Sequence, residues 1–188
     1  MPSGGVASHF VHLLDADTRA CRRRAVVLLV VTLALALPAY LLYPWQGLLV
    51  HAVAVVVGLL VGQVFSRRRT AAYEASLRGT WKSWMRFAVA SESVPELYRR
   101  VQGKGHRNLP WLAAAGLTAL WALEVGLLLL AFQKTDPSAS AFPVIALNGL
   151  LPALLLAHYL RLGRWMRGFA ASVTELVDSG EIGVWGVL

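Results

Sequence analysis

The sequence predicts an all-α integral membrane protein: four transmembrane helices in two hairpins, joined by a basic amphipathic cytoplasmic segment. Three observations predict it. Of the 188 residues, 57% are hydrophobic and the mean hydropathy is +0.57, which is more apolar surface than one soluble domain of this length can bury. Four apolar runs, 25–43, 45–65, 109–132 and 141–160, each reach about 20 residues, the length at which an α-helix crosses a ~30 Å hydrocarbon core. Of the 18 basic residues, four fall in 1–24, ten in 66–108 and three in 161–188, against Lys134 alone in the two opposite loops.

Residues 1–24 form an N-terminal amphipathic segment in which Val6, Phe10, Leu13 and Leu14 share a face toward bilayer or protein, followed by Arg22, Arg23 and Arg24. The apolar run behind these arginines is longer than a signal-peptide core, and Pro38, Tyr40 and Tyr43 follow it where a cleavage site would need small residues. It therefore reads as a retained first helix. Pro44 alone separates it from the second run, so 25–65 is a tight hairpin with Tyr40, Tyr43 and Trp45 in an aromatic belt. Within the second helix Ala54, Gly58 and Gly62 recur every fourth residue, a ridge that lets another helix approach closely, either in its own bundle or in a second copy.

Segment 66–108 reads as basic helices on the cytoplasmic surface. Tyr73, Leu77, Trp81, Trp84 and Ala88 share a helical face flanked by Arg78, Lys82 and Arg86, a pattern suited to a helix lying in the headgroup plane. With Arg67, Arg68 and Arg69 these cations are the expected contacts to anionic lipid headgroups. Ser93 to Glu96 reads as a capping box, and Gly103 ends the short helix it starts. The basic, glycine-rich residues 103–108 lack the Walker spacing and read as a headgroup-contacting turn. In the second hairpin, 109–160, Pro152 lies near the middle of the fourth helix and is expected to kink it and free a carbonyl. The tail 161–188 carries Arg161, Arg164 and Arg167 and ends in the apolar residues Val184, Trp185, Val187 and Leu188.

The positive-inside rule puts both termini and the long loop in the cytoplasm. Abundant Arg, Ala, Leu and Val suggest a GC-rich bacterial genome, hence the inner membrane of a cell as location. Topology and anionic lipid account for the basic excess, so nucleic acid is not an expected partner. The single Cys21 forms no internal disulfide, and Cys/His clusters for zinc or iron–sulfur centres are missing.

Depth along the membrane decides which polar residues meet. Counting ~1.5 Å per residue, Glu124 lies about 12 Å inside the end at Phe132, and His51 and Asn148 lie roughly 9 to 11 Å below the same surface. His51, Glu124 and Asn148 thus form a candidate polar cluster on three helices. His158 sits near the other surface, roughly 15 Å from the level of His51, too far to share a haem iron with it. Two ligands, His51 and Glu124, are too few to define a metal site, and the sequence identifies no cofactor. Within membrane a carboxylate is expensive, so Glu124 is either a neutral hydrogen-bonding glue between helices or a proton, ion or ligand site.

The expected role is transmembrane transport or channel formation, as a homo-oligomer or a subunit of a larger membrane complex. A structural or accessory subunit, or a lipid-modifying enzyme using His106 and Arg107 at the inner surface, are the alternatives. Catalytic fingerprints such as HExxH or a Ser/His/Asp elbow do not occur.

Overall fold

The structure, a computed structural model, describes residues 3–86, 90–133 and 141–179. Among them it is all-helical: α1 Ser3–Ala34, α2 Ala36–Leu42, α3 Pro44–Arg86, α4 Val94–Phe132 and α5 Ala141–Asp178, with a 3₁₀ turn Ser91–Ser93 before α4. Four stretches are long and apolar enough to cross a membrane, within Gly5–Leu42, Pro44–Trp84, Arg107–Phe132 and Ala141–Glu175. The loop 134–140, Ala88 and the apolar tail from 180 onward lie outside the described residues.

Prolines set the breaks. Pro38 cannot donate to the carbonyl of Ala34, and α1 ends at Ala34. Tyr43, ahead of Pro44, is extended (φ −143°, ψ 94°), as a residue preceding proline prefers, and α3 begins at Pro44. Tyr43 stacks on Phe142 at 4.7 Å and Tyr40 meets Trp45 edge-on at 6.4 Å, so aromatic rings cluster around this break. Pro152 is buried within α5, which continues through it.

The helix that organises the bundle is α5. It packs chiefly on α3 and α1, so the closest pairs join the two expected hairpins instead of lying within them. On α3 the ridge Ala54, Gly58, Gly62 meets a matching ridge on α5, Gly149, Ala153, Ala157. A Cβ placed on Gly58 would stand 2.5 Å from the Leu150 carbonyl oxygen and 2.9 Å from Ala153 Cβ; on Gly62, 2.7 Å from the Leu154 oxygen and 2.9 Å from Ala157 Cβ. The order 54, 58, 62 against 149, 153, 157 means that α3 and α5 run parallel and in register. The ridge is therefore an internal contact of the folded chain.

The expected surface helix at 70–90 is a different object. Between Pro44 and Arg86 α3 runs unbroken for 43 residues, about 65 Å. No proline stands near Arg67–Arg69 to turn it into the headgroup plane. Its aromatic face is covered by protein: Leu77, Trp81 and Trp84 are buried, and Phe10 of α1 lies 4.9 Å from Trp81, 5.5 Å from Trp84, 5.8 Å from Tyr98 and 6.0 Å from Phe169. Residues 3–24 are likewise the first turns of α1, with Val6, Phe10 and Leu14 in this core. An amphipathic face looks the same in sequence whether lipid or protein covers it.

Polar contacts tie this basic-side half together. Asp17 Oδ2 accepts from Tyr98 Oη at 2.8 Å and from Gln102 Nε2, and Tyr98 touches Tyr73 Oη at 3.4 Å. Burial, with the neighbouring Tyr73 and Asp17, raises the Tyr98 pKa, so its hydroxyl stays a donor. Cys21 is buried here with a free thiol. Ser93 does precede α4, but the 3₁₀ turn holds it in helical φ/ψ and its side chain makes no capping bond, so the capping box does not form. Gly103 breaks the helical path at φ 65°, ψ 162°, after which α4 resumes at once; residues 103–108 are a kink and not an extended turn.

Candidate functional site

Two of the three predicted cluster residues meet directly. Asn148 Nδ2 donates to Glu124 Oε2 at 2.8 Å, joining α4 to α5, and reaches the Leu120 carbonyl at 3.4 Å. Both side chains are fully buried at 0% exposure. Glu124 Oε1 and Asn148 Oδ1 are also buried, and among the described residues neither has a hydrogen-bond partner. Two acceptor oxygens are thus desolvated with no donor, an arrangement that a proton, a cation or a water molecule would satisfy.

Pro152 lies one turn beyond Asn148 in α5. The carbonyl it deprives of a helical donor, four residues earlier, is that of Asn148 itself. The site-bearing residue therefore carries a backbone acceptor released from the helix ladder.

His51 is close by but differently engaged. It is buried, and its Nε2 donates to the Thr32 carbonyl of α1 at 3.0 Å, while Thr32 Oγ1 donates back to Leu28 O at 2.7 Å. A carbonyl can only accept, so Nε2 carries a proton. Nδ1 lies 3.3 Å from where a Cβ on Gly149 would stand, so His51 borders the residue next to Asn148 without bonding to Glu124. The expected triad resolves into two adjacent pairs, Glu124–Asn148 and His51–Thr32. Sequence reasoning missed the partners of both pairs that are backbone carbonyls, since a carbonyl leaves no mark in sequence; the effect of Pro152 on Asn148 was legible from their spacing of four.

How α4 is held sharpens the role of this pair. Between Arg107 and Gln133, Glu124 is the one buried residue; Trp111, Leu112, Trp121 and Phe132 are all exposed. The other contacts of this stretch are partial, such as Leu127, Leu128 and Ala131 against Ala39, Leu42 and Ile145.

The predicted headgroup cations divide by depth. Arg67, Arg68 and Arg69 are exposed just past Phe65, with Arg69 5.4 Å over the Phe65 ring. Arg78 pairs with Glu74 at 3.0 Å, as the spacing of four suggests, and lies 5.3 Å over Phe169. In a straight α3, Arg78 and Lys82 stand about 20 and 26 Å beyond Phe65. Along the helix they are thus well separated from Arg67–Arg69. The side chains of Arg86 and His106 lie outside the described residues. Among the described residues no group of three or more His, Cys, Asp or Glu is placed to hold a metal ion. The chain matches no protein-family model, no curated protein and no solved structure.

Proposed function

We propose that this chain is a polytopic inner-membrane protein that acts in transmembrane transport or channel formation, with Glu124 and Asn148 as its proton- or cation-binding site. The observation that carries this reading is the pair of buried acceptor oxygens, Glu124 Oε1 and Asn148 Oδ1, left without donors at the contact of α4 and α5. A desolvated carboxylate is retained where it does chemistry, because leucine would pack there at lower cost. In the proposed orientation both termini are cytoplasmic and the site lies in the outer half of the membrane, with Arg67–Arg69 against anionic headgroups. Assembly as a homo-oligomer or within a larger complex fits the outward face of α4, which leaves an apolar helix open to a neighbouring subunit.

A second reading has its own support: Glu124 is the one fully buried residue of α4 between Arg107 and Gln133, so the Glu124–Asn148 bond also serves as the pin that docks α4 in a purely structural subunit. Proteoliposome flux across a pH series, with a thermal melt on each variant, separates the two. Glu124→Gln keeps an acceptor for Asn148 Nδ2. Under the transport reading it melts like the parent and carries no flux. Under the structural reading flux, where there is any, survives with its pH dependence unchanged.

A further inference from the structure

The register of α3 on α5 brings cations together that sequence distance keeps apart. Gly62 faces Ala157, so one turn further Arg67 of α3 comes level with Arg161 and Arg164 of α5. All three line one cavity of about 630 Å³, with Gln63, Thr70 and Glu74 as its other polar residues. Like charges gathered in one groove repel unless an anion sits among them. The groove's own carboxylate does not serve: Glu74 bonds Arg78 at 3.0 Å. Among the described residues, no ion pair involves Arg67, Arg161 or Arg164; Arg164 spends one N–H on the Leu160 carbonyl at 3.3 Å. Planar guanidinium forks match phosphate oxygens two at a time, which suits three arginines to a phosphate group.

Position within the chain identifies the source of that phosphate. The apolar stretches of α3 and α5 end at Phe65 and Leu160, immediately beside this cluster, and Leu59 and Leu160 form the cavity's apolar side. Leu60 and Val64 continue that side outward, 62% and 60% exposed. A molecule with a phosphate at the arginines and an apolar body along α3 meets both surfaces, whereas free phosphate meets only one. We propose that the groove between α3 and α5 is a binding site for the headgroup of an anionic phospholipid, held by Arg67, Arg161 and Arg164. It rests on the membrane placement of α3 and α5 but not on transport through Glu124.

Native mass spectrometry of the full chain in detergent, titrated with dioleoyl phosphatidylglycerol or dioleoyl phosphatidylcholine, tests it. The parent is expected to hold phosphatidylglycerol about tenfold more tightly or better, on the scale of juxtamembrane arginines at anionic lipid. Arg67→Gln with Arg161→Gln brings that preference to within about twofold, exposed Arg164→Gln alone lowers it partway, and Arg99→Gln on α4 leaves it intact. Gel filtration checks that each variant is folded, and the Arg164→Gln result decides the matter should the double variant fail that check. Equal binding of the two lipids by the parent, or an undiminished preference in the Arg67/Arg161 or Arg164 variants, overturns the proposal. Displacement of phosphatidylglycerol by an equal concentration of glycerol 1-phosphate also overturns it, in favour of a free-phosphate site. Proteoliposome flux reports on Glu124 separately, so loss of one reading leaves the other standing.

Discussion

Replacing Gly58 by alanine tests the ridge contact between α3 and α5 at the smallest scale available, one methyl group. The added Cβ would stand 2.5 Å from the Leu150 carbonyl oxygen, where ordinary contact begins at 3.4 Å, so the helices must part by up to about 0.9 Å locally. The obstacle is backbone, and no rotamer change relieves it. Gly126→Ala on α4 is the matched control, since nothing stands within 4 Å of a Cβ there. Both changes gain the same helix propensity, about 1 kcal/mol, which cancels in the comparison. What remains is the overpacking term, about 1–3 kcal/mol. At about 2–4 °C per kcal/mol for a chain of this size, Gly58→Ala should melt some 2 to 12 °C below Gly126→Ala in detergent. Gly62→Ala should follow Gly58→Ala, and because the ridge is internal, gel filtration should show no change in subunit number among the folded molecules. Equal melting of Gly58→Ala and Gly126→Ala would refute the close packing of these backbones; loss of an oligomer with an unchanged melt would move the ridge to an intersubunit contact.

Phe10→Ala removes the ring at the centre of the aromatic core beyond the apolar stretches and should destabilise the fold by about 3–5 kcal/mol; an unchanged melt would mean that α1 does not dock there. Gly103→Ala places a side chain at φ 65°, ψ 162°, a region reserved for glycine, and should lower stability by about 1–3 kcal/mol; an increase in stability would show a regular helix at that point. The proposed orientation predicts that Ser138→Cys reacts with an impermeant maleimide added outside intact cells, while exposed Ser76→Cys reacts only after lysis, with buried Cys21 silent in both. The reverse pattern at the two positions would invert the topology.

Much of this arrangement was legible because hard local rules wrote it. Pro44 fixes where α3 starts, and the apolar runs fix which stretches suit a membrane; the run 25–43, expected as one helix, instead breaks at Leu35, which Pro38 three residues later signals. Counting residues from the ends placed Glu124 and Asn148 at one depth, and they are bonded. His51 was placed at that depth as well, but depth says nothing about azimuth, and its ring turns to a carbonyl on α1. The central position of α5 was hidden for a similar reason: the apolar stretches of α4 and α5 have comparable hydropathy, and only packing shows that α4 beyond Arg107 buries little more than Glu124. The signal that could have revealed it was the second four-residue ridge, Gly149, Ala153 and Ala157, which answers the one on α3. Trp81 and Trp84 misled because an apolar helical face carries no label for its cover. Only the absence of a proline or glycine break at Arg67–Arg69 spoke for a helix that continues straight.

The central claim, that Glu124 exchanges a proton or a cation while bonded to Asn148, is tested most directly by infrared difference spectroscopy of the protein reconstituted in lipid, recorded as pH is stepped or a cation is added. The account predicts one carboxyl stretch that changes with the step, disappears in Glu124→Gln and shifts in Asn148→Ala, where the Nδ2 donor is gone. A difference spectrum that is the same in the parent and in Glu124→Gln would contradict it and leave Glu124 as the pin that docks α4.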